Sequence, residues 1–205
     1  MKTVAYNKFT IDSVRKLFGI KLIGDEFLFK DIHPVSPSDV LSKYLERYLP
    51  LGSAIGTEKA RSEFIIAPIL AELTEITEHR ISLFSGIEFN VDEEKGLNGR
   101  CDFIISASDI QYSLTSPILT VVEAKNDNIN SGFGQCMAEM IAARIFNESE
   151  GNKRNIVYGS VTTGSIWRFL KLEDDKIYID KKEYFIESLD RILGILSQIV
   201  SETKA

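Results

Sequence analysis

The chain has 205 residues, of which 44% are hydrophobic and 26% charged, with a formal net charge of -6. That balance excludes a disordered or fibrous protein and fits one ordinary globular domain with a full core. It also argues against coating nucleic acid or an anionic membrane by bulk electrostatics, so any nucleic-acid contact has to be local. The opening MKTVAYNKFT has no apolar signal-peptide core, and the longest apolar run, FIIAPIL at 64–70, is too short to cross a bilayer. Cys101 and Cys136 have no CxxC spacing and suggest neither a zinc ribbon nor a disulfide framework. A soluble protein in reduced, cytoplasmic surroundings is the expectation.

In chain order, residues 1–50 read as an add-on: a short helix around 11–18, a hairpin turning at Gly24-Asp25, and a helix opening at SPSDV, where Ser36 precedes a proline in the way helix starts favour. Residues 51–205 read as the main domain. From Thr57 to about Thr77 the spacing of Ile65, Ile66, Ile69, Leu70, Leu73 and Ile76 is helical, with Thr57 as N-cap and a kink expected at Pro68. Three strand-like segments follow at 80–91, 100–107 and 117–125, then a helix on GFGQCMAEMIAARIFN. A hairpin turning at Thr163-Gly164, a short strand near KIYID and an amphipathic closing helix end the chain. Trp167 and Phe169 read as core, and His33 and His79 fit no ligand spacing. The order of elements implies an α/β fold, a mixed sheet flanked by helices.

The segment LTVVEAK holds the chemistry. Its strand is apolar on both faces, Leu119 and Val121 on one and Ile118 and Val122 on the other, as a central strand must be, and an unpaired charge there is costly. Glu123 and Lys125 nevertheless stand on one face of its end. The midpoint between Asp102 and Glu123 falls in the polar stretch SDIQYSLTS, where a hairpin loop belongs, so antiparallel pairing brings the two carboxylates together. Neighbouring carboxylates raise each other's pKa unless a cation intervenes. Mg²⁺ is held by one or two carboxylates with water and phosphate, and a nearby Lys can orient water and stabilise developing charge.

An Asp followed at a distance by ExK at a strand end resembles the PD-(D/E)xK nuclease superfamily. TEKARSEFIIAPIL, GRCDFII, VVEAK, GFGQCMAEM and VTTGSIWRFL follow in the order seen in the nuclease domain at the N-terminus of type I restriction enzyme R subunits. The likeness runs from about 57 to 171 and leaves the first 50 residues uncovered. It implies a restriction-endonuclease-like core and a nuclease dependent on Mg²⁺ or Mn²⁺ that acts on DNA in a restriction or defence setting, alone, as a homo-oligomer or within a larger complex.

Asp102 and Glu123 would be metal ligands, Lys125 the group that orients water, Glu58 a supporting carboxylate and Gln135 a site-facing residue. On a helical projection Glu58 lies within the apolar stripe, toward one edge, whereas Glu63 falls outside it. Cys101 stands where the family name puts Pro, and Glu139 and Met140 stand where an aromatic often follows the Gln. Lys125, Arg144, Lys153, Arg154, Arg168 and Lys171 are the basic residues considered for phosphate contact. The sequence has no P-loop, so translocation would need another chain. The rival reading is an inactive nuclease-fold module that binds nucleic acid or a protein partner.

Overall fold

The computed structural model describes residues 5–152 and 154–202; Lys153 lies outside them. A 3-10 turn (Tyr6–Lys8) leads into α1 (Ile11–Phe18), β1 (Lys21–Ile23) and α2 (Asp39–Ile55). A long helical run follows as α3 (Glu58–Arg61), a π segment (Ser62–Ile66) and α4 (Ala67–Ile76). Then come β2 (Ser82–Glu88), β3 (Arg100–Ser106), β4 (Ile118–Ala124) and α5 (Phe133–Ser149). β5 (Ile156–Thr162), β6 (Ile166–Glu173), β7 (Lys176–Ile179), β8 (Tyr184–Phe185) and α6 (Leu189–Ser201) follow.

These strands make one mixed sheet in the order β1-β7-β6-β5-β4-β3-β2, with β8 against β6. β4 is buried at every position, which explains its unbroken apolar run. It pairs antiparallel with β3 and parallel with β5. The parallel pairing requires a crossover, and α5 supplies it. One face of the sheet carries α5 and the N-terminal residues Tyr6, Phe9 and Val14; the other carries α2, α4 and α6. Trp167 and Phe169 are buried in that second layer, where their rings stack. Helix α5 lies tight on the sheet because Gly159 has no side chain: a Cβ there would come within 2.5 Å of Met140 Sδ. The far end of α5 is pinned by buried Asn147, whose amide accepts from Ile118 N (2.7 Å) and donates to Ile118 O (2.9 Å).

Local sequence explains several helix ends. Thr57 Oγ1 accepts from Ala60 N at 3.2 Å and caps α3; Ser38, rather than Ser36 before the proline, caps α2. Three expectations need correction. The hairpin at Gly24-Asp25 does not form: only β1 is a strand, and it pairs parallel with β7 instead of with the residues after Gly24. The irregularity expected at Pro68 lies ahead of it, because the π turn lets Ala67 N–H reach back to Ser62 O where Pro68 has no N–H to give. Finally, the β3–β4 register shifts between Ile105 and Ser106, so Leu119 and Val121 enter opposite layers rather than the same one. Among the described residues no helix is long and apolar enough to cross a membrane.

Candidate active site

The register of β3 on β4 pairs Phe103 with Val122, which carries Asp102 to the end of β4. Asp102 Oδ2 accepts a hydrogen bond from Ala124 N at 2.8 Å, and Glu123 lies within hydrogen-bonding reach of the same carboxyl. The two acids therefore meet at the last rung of the sheet. Burial pushes the Asp102 carboxyl above its ordinary range, against the backbone bond and Lys125, which pull it down. Glu123 is only 1% exposed. Burial raises its carboxyl well above the usual value, Glu139 and Asp102 push the same way, and Lys125 opposes them.

Lys125 closes the group. Its ammonium donates to Glu123 Oε1 and lies 3.8 Å from Glu58 Oε2. Desolvation lowers the Lys125 pKa, but Glu123, Glu58 and Asp102 outweigh that and leave it raised, so the side chain is a cation at neutral pH. Glu58 reaches the site because Arg61, one turn on, is bonded to Thr163 O (3.0 Å) and Asn126 Oδ1 (3.3 Å). That residue ties α3 to the chain just past Lys125 and to the β5–β6 turn. Glu63 instead makes an exposed pair with Lys59 at 2.8 Å.

From α5, Gln135 Nε2 donates to Glu123 Oε2 at 2.8 Å and to Glu139 Oε1 at 3.1 Å. Glu139 is fully buried; its Oε2 meets no well-formed hydrogen bond, while the Cys101 thiol lies within reach of the same carboxyl. Burial raises its carboxyl to about 8, Gln135 pulls it down, and Asp102 pushes it up. Sequence reasoning passed over Glu139 as a site residue, although a lone carboxylate in the run CMAEMIAA, four positions after Gln135, is a visible signal. Tyr6 was also missed. It is buried, its hydroxyl is unpartnered, and burial next to Cys101 and Glu139 holds the phenol protonated. Nothing in the local sequence announces it, since its place depends on where the N-terminal segment docks.

Asp102, Glu123, Lys125, Gln135 and Glu58 line one cleft of about 300 Å³, walled on its other side by Ala5–Asn7 and by Gly99-Arg100. All five residues singled out from the sequence meet there. The other basic candidates among the described residues are engaged elsewhere: Arg144 on Asp174 O, Arg154 on Ile156 O, Arg168 on Asp180 O and Glu183, Lys171 on Glu173. Among the described residues no group of three or more His, Cys, Asp or Glu side chains forms a metal cage. A Mg²⁺ site needs only one or two carboxylates, with water and phosphate completing the shell. Asp102 and Glu123 are hard oxygen donors set side by side with Glu139 behind them and one ammonium to balance them, a donor set that fits such an ion. Cys101 and Cys136 are free and buried, close enough for Glu139 and Glu123 to raise their thiols. No family model matches the chain, and no curated protein matches it.

Proposed function

We propose that the chain is a metal-dependent nuclease with a restriction-endonuclease-like core of the PD-(D/E)xK kind, hydrolysing phosphodiester bonds in DNA. The observation that carries this reading is the meeting of Asp102, Glu123 and Lys125 in one cleft at the end of a buried central strand. An ordinary solvated strand end would leave these charges in water; here they are withdrawn from it, and burying them costs several kcal/mol unless they serve each other.

Asp102 and Glu123 would hold Mg²⁺ or Mn²⁺. The chemistry such an ion supplies is Lewis-acid polarisation of a phosphoryl oxygen and a nucleophile available near neutral pH. Lys125, a donor with no lone pair to offer a cation, orients the attacking water and stabilises charge on the phosphate. Glu58 steadies the ammonium from the far side, and Gln135 holds Glu123. A cytoplasmic restriction or defence role fits the reduced cysteines, with translocation, where needed, left to a partner chain.

The test is incubation of the full chain with labelled single- and double-stranded DNA and RNA, with and without Mg²⁺ or Mn²⁺. Metal-dependent cleavage of DNA is the expected result. No cleavage of any substrate would instead support the inactive binding module, which the net charge of -6 and the engagement of both Glu123 oxygens by the chain's own donors favour.

A further inference from the structure

We infer that Glu139 is a positioning residue of this site, holding the Gln135 amide in the orientation that presents an N–H to Glu123. Its catalytic consequence rests on the nuclease reading; its geometry does not. A glutamine amide has a donor end and an acceptor end of nearly equal shape, so packing alone does not choose between them. Here the choice is made by hydrogen bonding. Gln135 Nε2 sits 2.8 Å from Glu123 Oε2 and 3.1 Å from Glu139 Oε1, so each of its two hydrogens meets a carboxyl oxygen. Turning the amide over would aim its carbonyl oxygen at the two carboxyl oxygens that now accept from it, and would forfeit both hydrogen bonds.

Glu139 stands one helical turn from Gln135 on a helix fixed against the sheet, so the acceptor it offers does not move with the cleft. It is itself walled off: Gln135 and Glu123 line the cleft and Glu139 does not. A fully buried carboxyl with one oxygen lacking a well-formed hydrogen bond is an expensive side chain in a run of small and apolar residues. Holding the amide gives it a task that an apolar residue cannot perform. With Gln135 fixed on Oε2, Glu123 keeps Oε1 turned to Lys125.

The test compares Glu139→Met, which keeps the bulk and removes the acceptor, with Glu139→Gln, which keeps an acceptor oxygen. Losing one hydrogen bond in the chain to Glu123 is expected to lower kcat about tenfold with KM unchanged in Glu139→Met. Glu139→Gln should recover most of the rate. Should Glu139→Met not fold, Glu139→Asp carries the same test, since it draws the acceptor back by one methylene. The second readout needs no activity: in the ¹⁵N-labelled full chain both side-chain amide protons of Gln135 should exchange slowly in wild type and Glu139→Gln, and one should exchange fast in Glu139→Met. Unchanged kcat with unchanged Gln135 exchange in Glu139→Met overturns the inference, as do equal losses in Met and Gln variants. A wild type that cleaves nothing sinks the nuclease reading, and the exchange data then decide the positioning role alone.

Discussion

Glu58 Oε2 stands 3.8 Å from Lys125 Nζ, although one residue opens a helix and the other follows a strand far along the chain. The ammonium is therefore gripped from two sides, by Glu58 at the mouth of the cleft and by buried Glu123 at its floor. The hydrogen bond to Glu123 sets the direction of one N–H, and Glu58 adds a longer-range attraction on the opposite side.

On the proposed nuclease reading, the first prediction separates binding a metal from using it. Lys125→Ala should lower cleavage by about 10²-fold or more, because a fixed electrostatic group is lost, while leaving Glu123 Oε1 open to the ion. Asp102→Asn keeps an acceptor for Ala124 N but replaces a charged ligand with a neutral one, and should weaken Mg²⁺ binding by at least about tenfold. Calorimetric titration beside a cleavage assay distinguishes the two; full activity in Lys125→Ala would refute its role.

The second concerns pH. The Glu139 carboxyl has a folded pKa of about 8 against an ordinary value of 4.5, with burial as the main cause. The folded chain therefore binds this proton more tightly than the unfolded chain between those values. The stability that the protonated group supports is fully present below pH 4.5 and is lost as pH rises toward and through about 8. Glu123 is shifted in the same direction and adds to the slope. Melting temperatures taken across that range should fall with pH, and Glu139→Gln should flatten the fall. An unchanged slope in the variant would place the effect elsewhere.

The third uses the tight seat of the N-terminal segment on α5. A Cβ at Gly134 would come within 2.3 Å of Phe9 O and 2.6 Å of Thr10 Cα, backbone atoms that cannot step aside cheaply. Gly134→Ala should cost about 1–3 kcal/mol in denaturant unfolding and expose the segment around residues 5–18 to protease. Wild-type resistance to protease would show that the segment can shift without loss.

The fourth tests the pin at the start of β4. Asn147→Leu removes the partners of the Ile118 N–H and C=O in the interior and should destabilise the chain by about 3 kcal/mol. A midpoint shift in urea with an unchanged slope would confirm a loss of stability alone.

How much of this was legible in the sequence follows from the range of each cause. Strand β4 and its charged end could be read because burial on two faces writes itself into seven consecutive residues. Asp102 could be placed because an antiparallel hairpin fixes partners by arithmetic. The shift at Ile105/Ser106 leaves no such mark, and it reversed the layer of Leu119 without moving the site, since it lies at the far end of the strand. β1 misled because LIGDEF carries a local turn signal while its partner, β7, comes more than a hundred residues later. Tyr6 illustrates the same limit: a tertiary contact with Asn98 O, 3.1 Å from its N–H, holds a residue that no periodicity distinguishes.

The ladder on β4 does not stop at its last residue: Lys125 N donates to Thr162 O at 2.8 Å, so the backbone is bonded to a neighbour as far as the ammonium-bearing residue itself. Amides from Val121 to Lys125 should consequently exchange with deuterium only when the whole sheet opens. Heating has no gentle way to slacken this centre first. On the proposed nuclease reading, loss of cleavage and the calorimetric endotherm should then fall at one temperature, whereas a site mounted on a loose loop would fade well before its scaffold melts.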